Sequence, residues 1–465
     1  MTMSSGSECP EDVCFLSAVR LGQGYRAGRF SPVEVVEAHL SRIGALDADL
    51  HAYTQVFHNE ARSAAIASAQ RHVAAQARGP LDGVPVAVKD LIEIQGLPCA
   101  AGSATRRDHI AKRTAPLITR LIEGGAILIG KTHTVEFALG GWGTNTHLGS
   151  PRNPWMPESP YTAGGSSSGS AVAVAARLAT LAIGTDTGGS VRVPAAFNGL
   201  VGLKTTPGQI SVEGVIPLSP SLDTVGPIAR TVSDAALLYD AMVCQRFSHE
   251  GTLTGLKGGV SGMTLARVDQ EELDQVDGEI SRGYERSLRL FEKMGARIIT
   301  VKLPRALHDY QRDSEILMAE AYSLYGKVAE DLATQMDPHV RARILTGNIP
   351  AREYIMARSR AQRDGRGMLA ALEECDALLS PMTRTLPMPL ALVDETTTPS
   401  TLARFVNQIG FCALAVPNGF SASGLPMSLQ IICRPNEEHL VLQIGHAYES
   451  SDPFHGRIPP IAASA

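Results

Sequence analysis

Residues 164–195 read GGSSSGSAVAVAARLATLAIGTDTGGSVRVPA: two glycine–serine clusters, GGSSSG and TDTGGS, around an apolar run rich in alanine and valine. Several glycines in one loop let the backbone approach something closely, because glycine gives up no space to a side chain. Two such loops flanking one buried helix place two serine hydroxyls side by side, and this pattern reads as a serine-based active site. A flexible linker is the bland alternative, but linkers do not sit between apolar runs such as residues 171–176 and 178–183. A phosphate cradle is the other. It needs Gly-Lys-Ser/Thr or G-x-G-x-x-G spacing, and here Gly169 is followed by Ser170 and Ala171.

Working outward, the 465 residues carry 44% hydrophobic and 19% charged side chains with a net charge of −5. This is the composition of a globular protein with a sizeable core. It offers no basic surface, so no nucleic-acid partner is expected. The longest apolar run is interrupted by Arg177 and is too short to span a bilayer. The polar start lacks a signal-peptide pattern, so the expectation is a cytoplasmic protein without a membrane partner, its residues 1–12 a flexible N-terminal segment. Seven scattered cysteines without a C-x-x-C pair read as small buried hydrophobes rather than a disulfide or zinc framework. The histidines form no ligand-like cluster, so neither a metal nor a cofactor is expected.

Ser31 and Pro32 open a helix as N-cap and first helical residue. Residues 59–77 and 115–123 read as helices, and residues 81–90 as a strand with Val84, Val86 and Val88 on one face. Lys89 falls at that strand's end, where α/β enzymes place their chemistry. Residues 126–130 form a second buried strand, giving the βα alternation of a layered α/β fold. The loop 137–154 with Trp142 reads as a pocket wall, a lid or a plain surface loop. The chain beyond Asp234 reads as largely helical to about Cys375, with strands returning at 376–380 and 425–433. No composition break marks a boundary, so residues 13–465 read as one domain.

Amide hydrolysis by serine needs a base, because serine is a weak nucleophile at its free pKa. No histidine lies in or near the two clusters. Ser-Lys arrangements are the other solution, and Lys89, preceded by apolar residues, is the best-placed lysine. Taken alone, a lysine at a strand end also reads as merely solvated.

In chain order, P-V-A-V-K-D, GGSSSG and GTDTGGSVR resemble the amidase signature family. Gly164, Gly165, Ser166, Gly169, Gly184, Asp186, Gly188, Ser190, Arg192 and Pro194 fall at that family's spacings. The likeness continues in GKTHTVEFALGG (130–141), RNPW (152–155), SLDTVGPIARTVSDAALL (221–238), DALLSP (376–381) and GLPMSLQII (424–432). The resemblance implies an α/β/α sandwich with a large mixed central sheet and a Ser–cis-Ser–Lys triad. In it Ser190 is the nucleophile, Ser166 the bridging serine entered through a cis peptide bond, and Lys89 the base. It implies an oxyanion hole from the backbone N–H groups of Thr187, Gly188, Gly189 and Ser190. Asp186 and Arg192 read as a buried pair shaping the loop, Asp223 as structural, and Ser167 and Ser168 as loop hydrogen-bonders, Ser167 also a candidate partner of the lysine. Thr205 and Gln209 depart from the family's L-K-P-T-x-G-R.

Expected substrate-binding residues are Phe137, Gly140, Gly141, Trp142, Tyr322 and Tyr325, the tyrosines pointing to a bulky hydrophobic or aromatic amide or carbamate. The resemblance therefore implies a hydrolase of C–N bonds, extending to urethanase or esterase activity, acting on a small molecule as a monomer or homodimer. The alternative is the glutaminase-type subunit of a tRNA-dependent amidotransferase. HTVEFALGG differs from the N-M-D-E-F-A-M-G run expected there.

Overall fold

A computed structural model describes residues 12–243, 252–452, 454 and 456–463. The expected flexible segment 1–12 lies, apart from Asp12, outside the described residues, as do Cys9 and Cys244. Eleven strands form one sheet: β1 (Tyr53–Val56), β2 (Pro85–Lys89), β3 (Ile127–Thr132), β4 (Leu181–Asp186), β5 (Val201–Lys204), β6 (Thr224–Ala229), β7 (Thr264–Arg267), β8 (Arg297–Thr300), β9 (Ala377–Pro381), β10 (Cys412–Phe420) and β11 (Pro426–Cys433). Their spatial order is β1-β3-β2-β4-β6-β5-β10-β11-β9-β7-β8. The sheet is mixed. β2 runs parallel to both β3 and β4, and β7 parallel to β8 and β9, while β10 and β11 pair antiparallel.

Period-two alternation decides which face each side chain joins. Val86 and Val88, with Leu181 and Ile183, enter one core, and Ala87 and Ala182 enter the other, which they share with Ala171–Ala175 of the helix Ser168–Ala175. A sheet buried on both faces must be covered on both, and helices do so, giving the α/β/α sandwich. The same alternation puts Lys89 on the face of Ala87, toward the helix Ser168–Ala175.

The helix Pro32–Leu50 starts as its sequence dictates. Ser31 accepts from the Glu34 amide, and the Glu34 carboxylate accepts from the Ser31 amide, a reciprocal capping box. The apolar run after Gly169 is not one helix. The helix Ser168–Ala175 stops, Arg177 adopts a left-handed φ of 64°, and the chain returns as β4. The expected helical stretch beyond Asp234 is also interrupted, by β7 and β8. These strands have four residues each, too few for a periodic signal to build up. Cys14, Cys99, Cys375, Cys412 and Cys433 are buried. Among the described residues no helix is long and apolar enough to cross a membrane.

Candidate active site

Lys89, the last residue of β2, is wholly buried. Its Nζ donates to Ser166 Oγ at 2.8 Å, Ser167 Oγ at 2.9 Å and Thr185 Oγ1 at 2.8 Å. Burial pulls the amine down to about 7, against the more distant charges of Asp186 and Asp223, which raise it. A lysine so placed exchanges its proton near neutrality, and each of its partners can both accept and donate.

The Gly165–Ser166 peptide is cis, as the resemblance implies. The turn is held by the Gly165 amide, which donates to Gly141 O at 2.7 Å. A Cβ at Gly165 would stand 2.8 Å from Gly140 O and from the Gly143 amide nitrogen, so only glycine fits. Ser167 N–H donates to Ser190 O at 3.2 Å. This bond draws the two glycine–serine loops together.

The second loop, Thr187 to Ser190, joins β4 to the short helix Arg192–Phe197. Asp186 organises it: one carboxylate oxygen accepts from the Gly189 amide at 2.7 Å and the other from Val191 at 3.2 Å. Arg192 closes on the same carboxylate through Nε and Nη2, each at 3.0 Å. Its other contacts are Ala403 O, Gln430 Oε1 and Asn407 Oδ1. Burial pushes Asp186 up, but the charge and hydrogen bonds of Arg192, with Lys204 and Asn407, outweigh it and hold the carboxyl well below the usual range. Asp223 braces the same loop. It accepts from the Thr187 hydroxyl at 2.6 Å and from the amides of Leu218 and Ser219. Burial lifts it to about 6.

Ser190, 9% exposed, opens into a cavity that it lines with Gly165, Thr187, Gly188, Gly140 and Gly141. The structure thus brings Lys89 and Ser166 into direct contact and sets Ser190 against the same turn. Of the four amides expected for an oxyanion, that of Gly189 is engaged by Asp186 instead. An aspartate whose side chain takes the N–H three residues on is a familiar turn device, and the D-T-G-G spacing carried that signal.

The expected substrate-binding residues divide. Gly140 and Gly141 line the cavity. Phe137 is buried and stacks on Tyr325 with ring centroids 4.1 Å apart, while the Tyr325 hydroxyl donates to Pro217 O. Trp142 is buried and donates to Thr397 O at 3.2 Å. Tyr322 turns its hydroxyl to Glu330. None of these four aromatic residues is among the described residues lining the cavity. The helical segment around them reaches it through Leu317, and the remaining walls are Ala138, Leu139, Leu218, Thr398, Ser400 and two arginines, Arg343 and Arg404. No motif marks these arginines, which stand in helical stretches far from the loops in sequence. Thr205 and Gln209 bond elsewhere, to Val225 O and Asn436 Oδ1.

The profile of the amidase family matches residues 34–442. A 2-amino-5-chloromuconic acid deaminase of Comamonas testosteroni is 34% identical, over 91% of this chain and 94% of its own length. A glutamyl-tRNA(Gln) amidotransferase subunit of Geobacter sp. strain M21 is 33% identical, over 96% of this chain and 99% of its own. The native peptide amidase of Stenotrophomonas maltophilia superposes with a TM-score of 0.83 at 29% identity, covering 96% of this chain and 98% of that one. With the cis peptide, the buried lysine and the mixed sheet already in place, the protein belongs to the amidase signature family of amidohydrolases.

Proposed function

We propose that this protein hydrolyses the C–N bond of a small-molecule amide through an acyl-enzyme on Ser190. The observation that carries the reading is the wholly buried Lys89 amine within 2.9 Å of three hydroxyls, Ser166 among them. Neutral Lys89 takes the Ser166 proton as Ser166 takes that of Ser190, and Ser190 Oγ attacks the carbonyl. The other amides of the Thr187–Ser190 turn, with that of Gly189 held by Asp186, face the developing oxyanion. The proton returns through Ser166 to the leaving nitrogen as the C–N bond breaks. Water then adds to the ester by the same relay and releases the acid and Ser190. Carbamates and esters present the same carbonyl, so urethanase and esterase turnover belong to the reading.

The test is hydrolysis of a panel of p-nitroanilides, carbamates and esters by the wild type and by Ser190→Ala. Turnover confined to the wild type is expected; equal turnover in the variant refutes the nucleophile. The likeness to an amidotransferase subunit over almost the whole of both chains favours one second reading, a glutaminase component of such an assembly. Glutamine hydrolysis that appears only when partner subunits are added would establish it.

A further inference from the structure

The two helices that begin at the serine loops end at one small cavity, away from Ser190. The helix Ser168–Ala175 stops just before Arg177, and the helix Arg192–Phe197 is followed by Asn198. Arg177 and Asn198 both line the cavity, with Arg230 and Arg457 beside them. Arg177 is 6% exposed and Asn198 1%. Three guanidinium groups therefore meet here, and among the described residues lining the cavity none is Asp or Glu.

Helix capping accounts for only part of this charge. Arg177 Nη1 donates to Ala175 O at 2.6 Å, and Arg230 donates to Ala179 O at 3.4 Å and to Leu16 O. A helix C-terminus carries about half a negative charge, set against three cations. Arg230 also feels Asp234, but that carboxylate accepts from the amides of Ala18 and Val19 and does not line the cavity. Arg457 stands over the rings of Phe420 and Phe454, 4.7 and 5.3 Å from their centroids. Arg177 lies 5.6 Å from the centroid of the Phe15 ring, and the charges acting on it are cations. Burial pulls it well below the ordinary guanidinium range, and Arg230 and Arg42 pull the same way. Arginine does not shed its proton inside a protein, so burial here calls for a counter-anion.

Two buried atoms in this lining have no hydrogen-bond partner, and they are opposite in kind: Arg177 Nε is a donor and Asn198 Oδ1 an acceptor. The Asn198 amide is fixed in its orientation, because Nδ2 donates to Ala163 O at 2.7 Å and to Pro194 O at 2.8 Å. Sulfate or a bare carboxylate would satisfy the arginine and repel the amide oxygen. Hydrogen phosphate serves both, since its charged oxygens accept from guanidinium N–H groups while its P–O–H donates to Oδ1. The cavity offers ≈ 40 Å³, room for about three waters, which suits the free ion rather than an ester with its organic group.

We infer that this cavity is a phosphate site, in which hydrogen phosphate sits on Arg177, Arg230 and Arg457 with its hydroxyl on Asn198. The ion would tie together the far ends of the two helices whose near ends carry Ser166 and Ser190.

Calorimetric titration of the whole protein near neutral pH compares inorganic phosphate, sulfate and glycerol 3-phosphate, with chloride holding the ionic strength constant so that screening alone does not register. One phosphate per chain is expected to bind, and sulfate at least about tenfold more weakly, the scale of one buried group left unsatisfied. Arg177→Gln and Arg457→Gln each weaken phosphate at least about tenfold. Neither residue lines the cavity at Ser190, so the loss locates the ion. Thermal melts give a second readout: the midpoint of the wild type climbs with phosphate concentration, and that of the two variants does not. Absence of phosphate binding, or sulfate binding as tightly as phosphate, overturns the site. Phosphate binding undiminished in both variants overturns it too, because the ion then sits elsewhere, such as against Arg343 and Arg404. Glycerol 3-phosphate binding as tightly as phosphate overturns the choice of the free ion. Should Arg177→Gln not fold, the exposed Arg457 carries the test.

Discussion

The pH profile probes the proposed base most directly. Burial takes Lys89 from the ordinary lysine value of 10.5 to about 7, which corresponds to about 5 kcal/mol of preference for the neutral amine at ~1.4 kcal/mol per factor of ten. With that value about half of the amines are neutral at pH 7, about nine-tenths at pH 8 and about a hundredth at pH 5; an unperturbed lysine has about three neutral in ten thousand at pH 7. The kcat/KM of the free enzyme therefore rises about ninetyfold between pH 5 and pH 8 and levels off above pH 8. The assay is a stopped-time hydrolysis series in buffers of constant ionic strength, with Lys89→Arg as control. Arginine keeps its proton throughout this range, so the variant folds around a permanent cation and loses at least about a thousandfold of rate, on the scale of general-base removal combined with a misplaced nucleophile. Two results refute the reasoning. A rate flat from pH 5 to pH 8 means that Lys89 does not gate the step, and one still rising tenfold per pH step at pH 10 means that burial has not lowered its pKa.

Three further outcomes follow from the same geometry. Because the unfolded chain holds the Lys89 proton up to about 10.5 while the folded one releases it near 7, the unfolded state binds more protons between those values. Stability therefore rises with pH there, by at most about 1.4 kcal/mol per pH step from this group; urea melts at pH 7 and pH 9 should show a smaller rise in Lys89→Met. Arg192→Met strands the Asp186 carboxylate without its partner in a wholly buried position and costs about 3–5 kcal/mol, measured as a drop in urea midpoint. The double change to Asp186→Asn and Arg192→Met recovers part of that loss. Gly189→Ala places a Cβ 2.8 Å from that of Ala403 at a φ of +120°, so it lowers stability by about 1–3 kcal/mol and lowers kcat by moving the turn; unchanged kinetics would show that the turn tolerates the shift.

Local chemistry made part of this molecule readable. The capping box at Ser31, the alternation that buries Val86 and Val88, and the glycines of both loops are all set by neighbours within a few residues. What escaped reading depends on partners far along the chain. Strand β7 is specified by pairing with β9, and β8 by pairing with β7, more than by their own four residues each. Tyr325 looked like a pocket lining because an aromatic on an amphipathic helix carries no mark of which neighbour it meets; Phe137 claims it. The cavity cations escaped for the opposite reason. Arg343 and Arg404 have the local setting of surface arginines, and only the fold brings both to the mouth of Ser190.

Lys89 also shows why burial alone does not define a base. Lys89, Lys131 and Lys204 are all essentially inaccessible to solvent. Lys131 donates to the Asp90 carboxylate at 3.2 Å and to Ile92 O at 2.6 Å, a pairing that fixes a cation in place. Lys204 donates to two carbonyls, Thr205 O and Phe411 O, each at 2.7 Å. Burial, and next to it the charge of Arg192, takes Lys204 down to about 8, so by titration it resembles Lys89. Its acceptors separate the two. A carbonyl accepts a hydrogen bond and has no proton to give back, whereas Lys89 faces three hydroxyls, each with a proton to pass on. A lowered pKa supplies the neutral amine, and only a hydroxyl neighbour turns that amine into a relay toward Ser190.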